Sequence, residues 1–360
     1  MFVAWRDLRF AKGRFTLMGT VIVLITLLVG LLSGLTAGLA RENISAITGL
    51  SADRLAFAAP PAGQSVSFTN STVTASQWRD WAGRPGVESA APLGIRTLNA
   101  AAGDRTAALS AFGTEPGSGL APESSRLGAG KAVLSESAAE ELGVSAGDAV
   151  RLGSLDATVV AVAGDASYSH TPVVWTSLAD WQRLGRSGTG TEDQATVIAL
   201  TGSGVDWGAG DKALGTASRT VDEALGAIGS YQAENGSLQL MRGFLFVISA
   251  LVIGAFFTVW TIQRSADVAV LKALGASTPY LLKDALGQAL VMLTAGTLLG
   301  TGLASGIGAL ISGGDVPFVL QPLTVLGPAA VMIVLGSLGA ALSIRRITAV
   351  DPLTALGSAR

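Results

Sequence analysis

The sequence predicts a membrane protein of four transmembrane α-helices, with a large α+β extracytoplasmic domain between helices 1 and 2. Two observations predict this fold class. The 360 residues are 49% hydrophobic but only 14% charged, which is typical of a chain that lies largely in lipid. The charged residues are also unevenly spread, because long stretches contain none while the part between Arg41 and Arg242 holds most of the Asp and Glu.

Four segments without a charged residue are long enough to cross the hydrocarbon core, which is about 30 Å thick and takes about 20 helical residues. A charge at mid-bilayer costs at least about 2.5 kcal/mol, so such gaps indicate spans. The runs are continuously apolar rather than alternating, and lipid cannot satisfy backbone polar groups, so we expect helices. The expected spans are residues 15–39, 243–262, 285–313 and 318–344.

Lys and Arg near the span ends predict the orientation, since cytoplasmic flanks are rich in both. Positive residues precede the first span, lie between the second and third, and follow the fourth. Residues 1–14, the loop 263–284 and the tail 345–360 are therefore expected in the cytoplasm, and residues 40–242 outside. The first fourteen residues have the pattern of an amphipathic interfacial helix, which would either anchor the topology or transmit motion.

Composition excludes several classes of function. A net charge of −2 argues against nucleic acid as a partner, because phosphate binding requires clustered Lys and Arg. Without cysteine there is no disulfide framework, thiolate metal site or Cys nucleophile. The chain has one histidine and no catalytic motif, so we expect no enzyme.

The segment between the first two spans has the sequence pattern of an α+β domain, with short β-favouring runs separated by Gly, Pro, Ser and Asp. The predicted strands are residues 149–152, 157–162, 173–175 and 196–200. The predicted helices are residues 135–142, 177–184 and 218–230, the last leading back to the membrane.

Three stretches together resemble the MacB/FtsX-type permease family, also called type VII ABC transporters. Residues 133–152 are similar to its extracytoplasmic "LG-x-x-x-GD-x-V" segment, and residues 264–277 to its "R-x-x-E-x-x-x-LKALGAS" loop. The tail 345–356 is similar to its closing "DP-x-x-AL" signature. Asp267 stands where the family usually has Glu, a shorter carboxylate that could still pair with an ATPase surface.

The resemblance implies a transport subunit in a bacterial cell membrane, working as a homodimer with two copies of an ABC ATPase that binds ATP and Mg. The chain itself has no G-x-x-x-x-G-K-[ST] loop, so another polypeptide must hydrolyse ATP, and no intrinsic cofactor is expected. The family implies that the cytoplasmic loop couples to the ATPase, although a plain linker is the alternative. The expected coupling residues are Asp267, Leu271, Lys272, Ala273, Leu274 and Gly275.

Small residues recur every fourth position on the first span, at Gly30, Gly34 and Gly38. This spacing lines one helix face and permits close backbone approach. For the first span we expect a homodimer interface, or a slot for a flat apolar ligand. Packing within one protomer is the alternative.

Haem is the leading substrate, because the compact layout resembles the haem-exporting members of the family. Tyr168 and His170 lie two residues apart, and phenolate and imidazole both ligate haem iron. Ordinary packing is the alternative for each of them. The candidate haem-binding residues are Tyr231, Met241, Glu234, Tyr168, His170, Glu42 and Arg242. No other metal is expected.

Two further functions stay open from the sequence. One is a permease that moves nothing and relays ATP-driven motion to an extracytoplasmic partner, and the other is an exporter of peptides or lipophilic antibiotics.

Overall fold

The computed structural model describes residues 12–185, 193–263, 270–311 and 316–348. They form two compact units. We call residues 39–236 the sheet unit, and the described residues before 39 and after 236 the helical unit. Most of the expected interfacial helix, Asp267 and the end of the tail lie outside the described residues.

The described residues contain nine labelled helices. In chain order they are α1 Lys12–Thr48, α2 Ala75–Ala82, α3 Glu136–Leu142, α4 Leu178–Gly185, α5 Trp207–Leu214, α6 Val221–Ala224, α7 Gly229–Gln263, α8 Thr278–Ile311 and α9 Pro322–Thr348. The strands are β1 Arg54–Ala58, β2 Val73–Thr74, β3 Val87–Ala102, β4 Arg105–Thr114, β5 Lys131–Leu134, β6 Ala149–Leu152, β7 Leu155–Val162, β8 Ser167–Tyr168, β9 Thr171–Ser177, β10 Gln194–Ala195, β11 Val197–Gly202 and β12 Thr216–Thr220.

The four longest helices are long and apolar enough to cross a membrane, which confirms the expected fold class. Their candidate spans are Thr16–Thr48, Gly229–Gln263, Thr278–Ile311 and Pro322–Ser343. Large apolar side chains remain exposed along these helices, as at Leu251, Leu310 and Leu323. Such surfaces suit contact with lipid tails rather than water.

Small residues bring α1 and α8 close together inside the helical unit. A Cβ built on Gly30 would lie 2.8 Å from the Cβ of Ala304, and one built on Gly300 would lie 2.8 Å from the Cβ of Thr26. The Phe318 ring occupies the next position, within 2.2 Å of a Cβ built on Gly34. Only glycine leaves room for these contacts.

These contacts favour packing within one protomer for the first span. Gly30, Gly34 and Gly38 face Ala304, Phe318 and the Pro317 carbonyl of the same chain. The homodimer interface and the slot for a flat ligand stay predictions.

Six strands of the sheet unit close on themselves. β3 pairs with β4, β4 with β9, β9 with β5, β5 with β7, β7 with β6, and β6 returns to β3 through Ala100 and Ala101. The long strand β3 also pairs with β11, and β1 and β12 continue the sheet from there.

The end of α1 and the segment before α7, where the chain enters and leaves the sheet unit, pack in one apolar core. Ala46 and Ile47 at the end of α1 pack in the same cluster as Leu225 and Ile228, which precede α7. Ile47 is fully buried and Ile228 nearly so. The two long helices are thus fixed to the sheet unit at these ends.

The structure confirms four predicted strands, which lie within or overlap β6, β7, β9 and β11, and two predicted helices, which correspond to α3 and α4. The predicted helix 218–230 is confirmed only in part. Its first residues belong to β12, in which Arg219 pairs with Leu55 of β1. Only the four residues of α6, a short 3₁₀ turn and the start of α7 are helical in this stretch.

We expect Gly34→Ala to destabilise the protein by about 1–3 kcal/mol, because the added methyl group meets the Phe318 ring. Gly302→Ala is the matched control, since nothing lies within 4 Å of a Cβ there. Thermal unfolding in detergent measures both. Equal stability of the two variants would show that the glycine contact is not required.

Candidate functional site

The turn between β8 and β9 docks on the side of α1. Its two residues, Ser169 and His170, have φ of 51° and 62°, in the left-handed region that favours glycine. The Ser169 N–H donates to the Asn43 carbonyl at 3.0 Å, and the His170 N–H donates to the Glu42 carbonyl at 3.2 Å. The turn therefore adopts its conformation against the helix backbone.

The His170 side chain lies between two carboxylates. Its Nε2 is 2.9 Å from Oε2 of Glu234, and its Nδ1 is 3.6 Å from Oε2 of Glu42. The Asn43 amide nitrogen lies 3.1 Å from the same Nε2. Nε2 either accepts from the Asn43 amide or donates to Glu234. Nε2 is thus bonded to protein groups, whereas Nδ1 only lies near the Glu42 carboxylate.

Asn43 connects the two long helices. It is only 1% exposed. Its Oδ1 accepts from the Ser230 hydroxyl at 2.7 Å, and its amide donates to Glu234 at 3.4 Å. The Ser230 hydroxyl also lies 2.8 Å from that of Ser169. We call Asn43, Ser169, His170, Ser230 and Glu234 the clasp.

Tyr168 is placed differently from the expectation that made it an iron ligand. It is 8% exposed, and its ring meets those of Phe68 and Phe112 edge-on at centroid distances of 5.8 and 5.6 Å. Burial raises the pKa of its phenol far above the ordinary value, which disfavours the phenolate that binds iron. Although they are two residues apart, Tyr168 enters the core and His170 enters the clasp.

The other haem candidates divide between the two units. In the sheet unit, Tyr231 packs partly buried against the apolar core, and the side chains of Glu42 and Glu234 are each 44% exposed. In the helical unit, Met241 is half-exposed. Arg242 is intermediate in burial. Among the described residues, no group of three His, Asp or Glu side chains is arranged to hold a metal ion.

A sharp turn precedes α8 in the predicted coupling loop. Residues 270–273 are helical, and Gly275 has φ of 94°. The Ala276 N–H donates to the Leu271 carbonyl, and the Gly275 N–H donates to the Lys272 carbonyl, both at 3.0 Å. This pair of bonds is a Schellman motif, which needs a residue in a left-handed conformation and so favours glycine. It leaves Leu274 79% exposed.

Sequence reasoning missed Asn43, Ser169 and Ser230. They lie on three distant parts of the chain, and a polar residue near a helix end is ordinarily solvated. The one available signal was Asn43 itself, because it is followed by the apolar residues that anchor α1.

Two family models cover most of the chain. The FtsX-like permease C-terminal model matches residues 240–352, and the MacB-like periplasmic core domain matches residues 15–217. The chain is 26% identical over 371 aligned residues to HrtB of Staphylococcus epidermidis, which is provisionally named a hemin transport system permease protein, and this match covers 99% of each chain. It is 38% identical over 130 residues to the like-named protein of Staphylococcus haemolyticus, covering 36% of this chain and 37% of that one.

The crystal structure of the periplasmic region of MacB from Actinobacillus actinomycetemcomitans covers 49% of this chain and 92% of its own. The identity is 14% and the TM-score 0.33, which is too low for a structural conclusion.

We expect Asn43→Ala to lower the free energy of unfolding by about 2 kcal/mol, because it leaves buried polar partners without their hydrogen bonds. Asn99→Ala, at an exposed position of β3, should change it by no more than about 0.5 kcal/mol. Denaturant unfolding of the full chain in detergent distinguishes them. An Asn43→Ala variant with the same free energy of unfolding as the wild type would mean that water replaces the hydrogen bonds of the clasp at no cost in stability.

Proposed function

Because the chain belongs to the MacB/FtsX-type family of ABC transporter permeases, we propose that it is the membrane subunit of an efflux system that exports haem and is driven by a separate ATPase. The observation that carries the substrate is the full-length likeness to a protein named for hemin transport, since it extends over 99% of both chains. A match limited to the shared permease domain would carry no substrate information.

The proposed topology places both termini and the loop 263–284 in the cytoplasm, and the sheet unit outside. The Lys and Arg distribution around the spans supports it. ATP hydrolysis is assigned to a partner because the sequence contains no phosphate-binding loop.

The turn at Leu271–Gly275 is the proposed contact with the ATPase. Its Schellman motif fixes the end of the helical residues 270–273, and the Leu274 side chain is 79% exposed. An exposed leucine at a fixed helix end suits an anchor in a protein interface. Asp267 stays a predicted coupling residue outside the described part of the chain.

Tyr231 and Met241 are proposed as alternative haem ligands on α7, because ten residues of helix place them about 15 Å apart and one iron cannot bind both. Among the three tyrosines, Tyr168 is buried in the aromatic cluster and Tyr280 lies in the first turn of α8, five residues after Gly275 in the proposed ATPase contact. Tyr231 is left as the available phenol. Met241 offers an accessible thioether, and Arg242 is the proposed partner of the haem propionates. His170 hydrogen-bonds to Glu234 and lies beside Glu42, so we do not assign these three residues to iron.

We expect one of the two variants, Tyr231→Phe or Met241→Ala, to weaken hemin binding at least about tenfold, or 1.4 kcal/mol, because it removes the axial ligand. Titration of the purified permease with hemin, followed at the Soret band, measures the affinity. Tyr168→Phe and Tyr280→Phe are the matched controls and should bind like the wild type.

Absence of any Soret change with the wild-type protein would contradict haem as the substrate. In that event, sensitivity of a deletion strain to peptides or lipophilic antibiotics would favour the second kind of exporter. A deletion strain that tolerates haem, peptides and lipophilic antibiotics like the wild type, together with capture of a cell-wall hydrolase by the protein, would favour a non-transporting permease.

We expect Leu274→Ala to reduce permease-stimulated ATP hydrolysis about tenfold, because it removes the exposed apolar contact of the proposed coupling turn. Leu310→Ala is the matched control, since that side chain is 86% exposed at the other end of α8. Hydrolysis is measured with the co-purified ATPase in lipid nanodiscs. Equal rates for the two variants would remove Leu274 from the coupling surface.

A further inference from the structure

We propose that the clasp is a releasable link between the outer ends of the first two spans, and that it opens in every cycle of ATP hydrolysis. The proposal requires an ATPase partner but does not depend on haem as the substrate. It concerns five residues of the sheet unit: Asn43 on α1, Ser169 and His170 in the turn, and Ser230 and Glu234 on α7.

The turn is bound firmly to α1. Besides the two backbone bonds to the Glu42 and Asn43 carbonyls, the Ser45 hydroxyl accepts from the Ser167 N–H at 2.8 Å. The same hydroxyl lies 3.2 Å from the Ser167 carbonyl. Backbone groups therefore join the turn to α1, and the two should move together.

The link to α7 is of another kind, because it consists of side chains alone. Among the described residues, side-chain hydrogen bonds join Ser230 to Ser169 and Asn43, and Glu234 to His170 and Asn43. The His170 side chain is 31% exposed and that of Glu234 44%. Water reaches the His170 and Glu234 side of this seam, whereas Asn43 is buried, so opening the seam costs the net energy of a few hydrogen bonds.

An apolar pivot lies directly beside the seam. Ile47 is one helical turn beyond Asn43, and Ile228 is two residues before Ser230, and both are buried in the same core. Separating these fully buried residues would expose apolar surface, whereas the contacts across the seam itself are polar. Motion of α7 relative to α1 is therefore easiest as a rotation about the pivot that opens the seam.

A disulfide across the seam tests the proposal, because the chain contains no cysteine of its own. The Ser169 and Ser230 hydroxyls are 2.8 Å apart, which lets Ser169→Cys and Ser230→Cys form a bond with little movement. The control pair is Thr114→Cys with Ser118→Cys, whose hydroxyls are 2.9 Å apart at the end of β4 and link no helix.

In the complex with its ATPase, we expect oxidation of the 169–230 pair to slow ATP hydrolysis about tenfold and reduction to restore it. Oxidation of the control pair should leave the rate unchanged. An oxidised 169–230 pair that hydrolyses ATP at the reduced rate, with the disulfide confirmed by mass spectrometry, would overturn the proposal.

The single variant Ser169→Cys gives an independent measurement if the paired variant does not assemble. An impermeant maleimide should label it about fivefold faster in the vanadate-trapped complex than in the nucleotide-free one, or the reverse. Equal labelling rates in the two states would also overturn the proposal. Hemin binding enters neither measurement, so a failure of the haem assignment would be seen separately.

Discussion

A polypeptide in hydrocarbon must satisfy its own backbone polar groups, and the other features of this protein follow from that constraint. It requires continuous helices across the bilayer, and the four longest helices meet the requirement. It also removes the hydrophobic effect as a force between helices, so close packing must replace it. The glycine contacts between α1 and α8 and the Phe318 ring against Gly34 provide that packing.

Hydrogen bonds between helices add to the packing. The Thr258 hydroxyl on α7 lies 2.9 Å from that of Ser343 on α9, and Ser343 also donates to the Gly254 carbonyl at 3.2 Å. Such bonds hold helices in register in lipid, where water does not compete. In the sheet unit, by contrast, apolar residues hold the helix ends together, and water competes for the hydrogen bonds of the partly exposed His170 and Glu234 side chains.

Much of the fold could be predicted because its signals are local. The absence of charge over long runs marks the spans, and alternating apolar residues mark β7, whose burial alternates along the strand. The helix ends could not be predicted in this way. The helix α1 continues past Arg41 to Thr48, since Ala46 and Ile47 gain a place in the core.

Interactions between distant residues account for what the sequence did not reveal. The segment starting at Ser218 was predicted as a helix, but pairing with β1, more than 150 residues earlier in the chain, makes it a strand. The first-span glycines indicated close packing without identifying the partner, which is the same chain. Tyr168 and His170 were grouped by spacing, whereas a hairpin separates their side chains into core and clasp.

The account depends on the sheet unit and the coupling turn lying on opposite sides of the membrane. Labelling of single cysteines in intact cells with a membrane-impermeant maleimide tests this directly, at the exposed positions Ser154 and Ala273. The account predicts that Ser154→Cys reacts in intact cells and that Ala273→Cys reacts only after the cells are permeabilised. Labelling of Ala273→Cys from outside, or protection of Ser154→Cys until permeabilisation, would contradict it.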